Sequence, residues 1–137
     1  MLLYFPLQGY LNNKPVRIGN NAVLQTQNDV YGQLLITMLP LFVDERLNYF
    51  DKGKTIQLTE WLLSKINENM DKPDSGLWEF GSTYQYNSYT YLFHWAGAHA
   101  SMKIGQLLGD KTITENAQSI ITPGRQFKEI LIPMRPI

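Results

Sequence analysis

The segment from Ser88 to Leu108 constrains the fold most, because it reads as a long helix that is apolar or small around most of its circumference. Gly109 follows it and predicts its end. A helix of this composition must be buried on more than one side. Its small residues would let neighbouring helices approach closely; they are Ala96, Gly97, Ala98, Ala100, Ser101 and Gly105. The segment therefore predicts one helix inside a larger helical assembly.

A second helix is predicted upstream by the apolar spacing of Tyr31, Leu34, Leu35 and Met38. Asn20 or Asn21 can cap its start. The helix is predicted to run to about Met38, and Pro40 is expected to end or kink it, because proline has no backbone N–H to donate.

A third helix is predicted from about Thr55 to a point before Pro73, and a short fourth one covers 112–120. The third has an expected apolar stripe of Leu58, Trp61, Leu62 and Ile66, and a polar face of Glu60, Ser64 and Asn67.

The remaining segments carry turn residues or prolines. Residues 8–20 predict an ordered loop, and the apolar start, Met1 to Leu7, is expected to pack as ordinary polypeptide because it lacks the basic region of a signal peptide. The tail from Pro123 to Ile137 predicts an extended segment or a loose end. The fold class is therefore all-α, with about four helices in residues 1–120 and a C-terminal tail of unclear origin in 121–137.

Composition limits the function. The 137 residues, 44% hydrophobic and 18% charged, describe about one soluble globular domain. Twelve basic and twelve acidic residues leave no net charge, so nucleic acid is not an expected partner. No apolar run reaches the roughly 18 residues that a membrane helix needs, so no membrane partner is expected. The absence of a signal favours a cytoplasmic origin.

Metal and nucleotide chemistry are not supported, and no cofactor is expected. The sequence has no Cys, and a Gly-rich phosphate loop is missing. His94 and His99 are five residues apart, which puts them about 140° from each other on a helix. They do not share a face well enough to ligate one metal ion.

The run from Pro73 to Glu79 is the most informative chemically. Asp74, Ser75 and Gly76 predict a backbone turn, while Leu77 and Trp78 supply an apolar wall that disfavours ionisation of the neighbouring Glu79. A carboxyl group that stays protonated near neutral pH can act as a general acid. The plainer alternative is a surface glutamate at the end of a loop.

Three blocks in order resemble one family. They are Gly9-Tyr10 with Lys14-Pro-Val-Arg-Ile-Gly-Asn20, then Gln27-Asn-Asp-Val-Tyr-Gly32, then Pro73-Asp-Ser-Gly-Leu-Trp-Glu79. Together they look like the glucoamylase and bacterial trehalase group, glycoside hydrolase family 15. The resemblance continues to about Asp110.

The resemblance implies an α/α toroid of twelve helices that hydrolyses α-glucosidic bonds with inversion. Glu79 matches the general acid of the Trp-Glu motif. Trp78, Arg17 and Asp29 become candidate substrate-binding residues. Structural alternatives stay open: Trp78 could be core, and Arg17 could simply pair with Asp29. Tyr84, Tyr86, Tyr89 and Tyr91 could line a sugar site, although packing in the core is favoured.

An inverting glycosidase needs a second carboxylate as general base. Neither Glu115 nor Glu129, the glutamates that follow Glu79, lies in a matching setting. The expected function is thus that of a fragment of an α-glucoside hydrolase, inactive alone and associating through exposed apolar flanks into a homo-oligomer. Two alternatives remain: a noncatalytic carbohydrate-binding or regulatory module of the same fold, and a structural all-α module in which Glu79 is incidental.

Overall fold

The protein was examined as a computed structural model, which describes residues 3–19, 25–47, 51–77 and 84–122. For Arg17 and Ile18 only the backbone is described. The described residues form a short antiparallel ribbon followed by four helices. The ribbon pairs β1 (Leu3–Phe5) with β2 (Val16–Ile18), and the helices are α1 (Asp29–Val43), α2 (Lys52–Asn69), α3 (Ser88–Leu108) and α4 (Lys111–Ile121). The all-α prediction with about four helices is confirmed.

Helix α3 has the predicted bounds, and α1 and α4 pack against it more extensively than α2 does. Its small residues allow the predicted close approach. A Cβ added to Gly97 would lie 2.6 Å from Cα of Gly32, and one added to Gly32 would lie 2.0 Å from the backbone oxygen of Phe93. Because these neighbours are backbone atoms, only glycine fits at this crossing of α1 and α3.

The core cluster lies where the four helices meet. Its buried members are Leu35 and Met38 from α1, Leu62, Leu63 and Ile66 from α2, Ala98 from α3, and Ile113, Ala117 and Ile120 from α4. Side-chain caps define two of the helix starts. Asp51 accepts a hydrogen bond from the Lys54 N–H at 3.1 Å, and Asp110 accepts one from the Ile113 N–H at 3.0 Å. Asp110 is thus the N-cap residue of α4.

The predicted start and end of α1 are wrong. The helix begins at Asp29, because Thr26 and Asn28 are hydrogen-bonded to the segment that follows α2. It also continues past Pro40 to Val43. The Pro40 carbonyl accepts a hydrogen bond from the Asp44 N–H at 2.9 Å, so the last turn keeps its helical hydrogen bonding.

The predicted apolar stripe of α2 is wrong for two of its four residues. Leu62 and Ile66 are buried as expected, but Leu58 and Trp61 are exposed, while Thr59 and Leu63 are buried. The face that carries Leu62 and Leu63 joins the core cluster shared with α1 and α4, which turns Leu58 and Trp61 away from it. The predicted polar residues Glu60, Ser64 and Asn67 are exposed as expected.

The N-terminal segment also departs from expectation. Its described apolar residues, Leu3, Tyr4, Phe5 and Leu7, are exposed instead of packed. They belong to or follow strand β1, which pairs only with β2 among the described residues. The predicted tail lies at 123–137, outside the described residues. None of the described helices is both long enough and apolar enough to cross a membrane.

Candidate functional site

The candidate site is built on the turn that follows α2. Asp74 there is only 1% exposed. Its Oδ1 accepts hydrogen bonds from the Gly76 N–H at 3.1 Å and from Nδ2 of Asn87 at 2.6 Å. Its Oδ2 accepts from the Asn28 N–H at 3.0 Å and from Oγ1 of Thr90 at 2.8 Å. One buried carboxyl group thus joins the turn to the start of α1 and the start of α3.

The predicted turn at Asp74, Ser75 and Gly76 is confirmed by these contacts. An aspartate that accepts from the N–H two residues ahead forms a compact turn of its own. Gly76 has φ of +62°, and a Cβ there would lie 2.8 Å from the Asn87 side chain. Both observations favour glycine, because a Cβ here would be strained at this φ and would crowd the Asn87 side chain that reaches Asp74.

Backbone hydrogen bonds close the segment that begins at this turn. Asp74 and Gln85 pair in an antiparallel bridge, with two N–H to O distances of 2.9 Å. The Ser75 N–H donates to the Thr26 carbonyl, also at 2.9 Å. Residues 74 and 85 are therefore held together at the two ends of the stretch that contains Trp78 and Glu79. Those two predicted site residues lie outside the described residues.

Asp29, a predicted substrate-binding residue, is buried at the first position of α1. Its Oδ2 accepts a hydrogen bond from Nε2 of Gln33, which also lies 3.4 Å from the Tyr89 hydroxyl. Its Oδ1 is buried and has no hydrogen-bond partner among the described residues. Burial raises the pKa of Asp29, and the nearby Asp74 adds to that effect against the lowering by backbone and Gln33 hydrogen bonds.

Arg17, the other predicted binding residue, lies in β2 opposite Tyr4. Its side chain is outside the described part of the chain. Whether it pairs with Asp29 therefore stays a prediction.

His94 completes the polar cluster, and sequence analysis gave it no role here. Its ring is fully buried, and Nε2 lies 2.7 Å from the Asn28 carbonyl, to which it can donate. Burial lowers the pKa of His94, against the raising effects of that hydrogen bond and of Asp74 and Asp29. The other ring nitrogen, Nδ1, is buried without a hydrogen-bond partner in the described part of the chain. A neutral imidazole that donates at Nε2 has an acceptor at Nδ1.

The tyrosines near α3 divide between surface and core. Tyr84 and Tyr86 are exposed by 48% and 67%, whereas Tyr91 is buried. The favoured core location is therefore wrong for Tyr84 and Tyr86 and correct for Tyr91. The two exposed rings flank Gln85, whose backbone pairs with Asp74, so they lie at the same end of α3 as the polar cluster.

Other parts of the described chain offer little comparable chemistry. No group of three or more metal-ligating side chains lies together in residues 3–19, 25–47, 51–77 or 84–122. A hollow of about 270 Å³ lies where α3 passes into α4, and one of about 180 Å³ lies between α2 and α4. Neither is lined by the Asp74 cluster.

Comparison with known proteins agrees with the motifs around this cluster. The family model described as "Glycosyl hydrolases family 15" matches residues 5–125, most of the chain. The chain therefore belongs to glycosyl hydrolases family 15, and the resemblance inferred from sequence is confirmed.

Several curated trehalases are similar to this chain. The trehalase of Mycolicibacterium smegmatis is 29% identical over 121 residues, which are 83% of this chain and 17% of that protein. The trehalase of Thermoplasma acidophilum is 29% identical over 102 residues, covering 74% and 17%. Trehalase 1 of Sulfolobus acidocaldarius is 30% identical over 106 residues, covering 72% and 17%. The chain thus spans about a sixth of the length of these relatives. No solved structure matches the chain significantly.

Proposed function

We propose that this chain supplies the general acid, Glu79, for inverting hydrolysis of an α-glucoside. One observation supports the proposal: Trp78 and Glu79 lie in the sequence between the buried Asp74 and Gln85, whose backbones pair in an antiparallel bridge. A general acid must be held within hydrogen-bond reach of the leaving oxygen. A closed, anchored stretch meets that requirement better than a free loop.

The substrate class follows from the relatives. Each curated protein reported above is named a trehalase, so an α-linked glucose disaccharide is the proposed substrate. Trp78 and Arg17 are proposed to contact the sugar, with Asp29 behind them. The exposed Tyr84 and Tyr86 offer further aromatic surface, which suits the faces of sugar rings.

The proposed reaction needs a second carboxylate on the opposite face of the sugar. Glu115 is exposed on α4, and Asp110 is engaged in capping that helix. We propose that neither is the base and that residues 1–120 form one segment of an α/α toroid. On this proposal the 137 residues alone do not turn over substrate, and the base comes from additional polypeptide.

A chimera tests the acid directly. Residues 5–125 would replace the matched segment of the M. smegmatis trehalase, and glucose release from trehalose would be measured. In that chimera Glu79→Gln is expected to lower turnover by about 100-fold or more, since proton donation is lost while binding groups remain. Glu115→Gln is the matched control and should leave turnover unchanged. Near-parental turnover by the Glu79→Gln chimera would exclude Glu79 as the acid.

The stereochemistry gives a second readout in the same chimera. Inversion at one of the two anomeric carbons of α,α-trehalose releases one β-glucose and one α-glucose. Proton NMR of the first products should therefore show equal amounts of the two anomers. Two equivalents of α-glucose would instead indicate retention.

Trehalose binding by the 137-residue chain, together with a chimera that never turns over, would favour the noncatalytic carbohydrate-binding alternative.

We also propose that the chain self-associates. Apolar side chains are exposed along α1 and α2, including Leu34 at 44%, Leu58 at 44% and Trp61 at 50%. Exposed apolar surface of this kind favours association. Light scattering at tens of micromolar should give a dimer or larger species, and Leu58→Lys should weaken it more than Glu60→Lys does. A monomeric parent chain would contradict the proposal. The cytoplasmic location stays a prediction.

A further inference from the structure

The hollow between α2 and α4 is bordered by the polar face that the sequence predicts for α2. Glu60, Ser64 and Asn67 lie at the i, i+4, i+7 spacing of one helix face and line the hollow from α2. Asn116 and Ser119, one turn apart, line it from α4. Polar side chains of two helices therefore surround a space of about 180 Å³.

The base of this hollow belongs to the core. Leu63 and Ile120 also line it, and both are buried members of the core cluster in which α2 and α4 meet. The two helices are therefore packed together directly beneath the polar side chains. Binding groups on packed helices are held more precisely than binding groups on loops.

Three of the lining side chains have no partner within the described part of the chain. Glu60, Asn67 and Asn116 form no side-chain hydrogen bond or ion pair there. Gln118, which lies on α4 outside the hollow, differs because its Nε2 donates to Oγ1 of Thr122 at 3.1 Å. The polar groups that face the hollow are thus free to bind an external partner.

The hollow offers more hydrogen-bond acceptors than donors. Oγ of Ser64 donates to the Trp61 carbonyl at 2.8 Å, and Oγ of Ser119 donates to the Asn116 carbonyl at 2.7 Å. Each serine therefore presents only lone pairs to the hollow, and the Glu60 carboxylate also only accepts. The donors come from the two asparagine amides. A fitting ligand must carry several donors of its own together with acceptors.

We propose that this hollow binds one pyranose ring of a neutral polyhydroxylated ligand. Sugar hydroxyls both donate and accept, which suits acceptor-rich walls that include two amides. An anionic ligand is disfavoured, because the described lining residues include a carboxylate and no basic side chain. Water takes up about 30 Å³ per molecule, so the space corresponds to about six waters or one six-membered sugar ring. The Asp74 cluster does not line this hollow, and the proposal does not depend on Glu79.

Binding is tested on the whole chain labelled with ¹⁵N. The side-chain amide signals of Asn67 and Asn116 are followed by NMR while glucose is added. Both signals should shift and saturate with one Kd in the millimolar range, because a single exposed ring makes few contacts. The amide signal of Gln118 is the internal reference and should not shift. Since the two reporting amides lie in the hollow, sugar bound elsewhere does not move them.

Substitutions then test the lining directly. Asn67→Ala and Asn116→Ala should each weaken glucose binding about fivefold, with the remaining amide as the reporter. Gln118→Ala is the matched control in α4 and should leave the Kd unchanged. All three positions are exposed, so the fold should be retained. An unchanged Kd in both asparagine variants would overturn the proposal, as would the absence of any shift at about 100 mM glucose.

A second titration separates a sugar from an ammonium ligand, which would also suit an acceptor-rich lining. Putrescine carries two ammonium groups and no hydroxyl. If the hollow binds sugar, putrescine should bind at least about tenfold more weakly than glucose, because it offers nothing to the asparagine donors. Binding of putrescine that is tighter than that of glucose and is lost in Glu60→Gln would overturn the proposal in favour of a cation site.

Discussion

Helix α3 is joined to α1 in two different ways within its first three turns. At its start the contact is polar, through Thr90 and Asp74 and through His94 and the Asn28 carbonyl. Further along, Gly97 meets Gly32 with no side chain between the backbones. The glycine contact depends on shape and is indifferent to charge, whereas the polar contact depends on donors, acceptors and protonation. Substitutions that change volume, hydrogen bonding or charge should therefore separate the two.

The largest effect is expected from Gly32→Ala. The new Cβ would lie 2.0 Å from the Phe93 backbone oxygen, so the two helices would have to move apart. We expect the free energy of unfolding in urea to fall by about 3 kcal/mol or more. Gly53→Ala is the control, because a Cβ there meets only the Asp51 side chain at 3.4 Å. It should gain about 0.5–1 kcal/mol from helix propensity.

If Gly32→Ala were as stable as the parent, α1 and α3 would not approach as closely as described. The contact of α1 with α3 at Gly32 would then not depend on shape in the way described.

The next effect is expected from Thr90→Val, which keeps the shape and removes the hydroxyl that donates to Asp74 at 2.8 Å. A hydrogen bond to a buried carboxyl group contributes more than a neutral one, so the expected loss is about 1.5–2 kcal/mol in urea unfolding. Thr37→Val is the matched control in α1. Its hydroxyl bonds to the Leu34 carbonyl in an exposed setting, so the change should stay within about 0.5 kcal/mol. Equal losses in the two variants would mean that burial does not strengthen the hydrogen bond between Thr90 and Asp74.

The same contrast explains which features could be predicted from the sequence. Helix α3 was predictable because its apolar and small residues and its Gly109 end are local signals. The start of α1 was not predictable from local signals. Asn28 precedes that helix because it is held by Asp74, 46 residues away, and no local pattern in residues 20–28 indicates this contact.

The site was predictable only in part for a similar reason. An aspartate two residues before a glycine indicates the turn at Asp74, and that turn is present. The sequence gives no indication that Asn87, Thr90 and His94 face it, because those contacts depend on how α3 packs on α1. Local pattern thus indicated the turn, and tertiary packing determined what surrounds its carboxylate.

The smallest and most specific effect concerns pH. The pKa of buried His94 lies below its ordinary value of 6.5, so the unfolded chain binds a proton at a pH where the folded chain does not. Stability should therefore decrease as pH falls below 6.5, with a slope of at most about 1.4 kcal/mol per pH unit for one proton. Asp29 has the opposite effect on the pH dependence of stability. Its raised pKa makes the folded chain bind a proton more readily above 3.8, which adds stability on acidification.

His94→Gln separates these two contributions. Glutamine can keep an N–H directed at the Asn28 carbonyl but does not titrate, so urea unfolding between pH 6.5 and about 5 should lose the destabilising slope. Gly32→Ala should lower stability equally across this range, because a contact between backbones carries no proton. A His94→Gln variant with the parental slope would show that the acid sensitivity arises elsewhere, and the polar contact would then differ from the glycine contact in geometry alone.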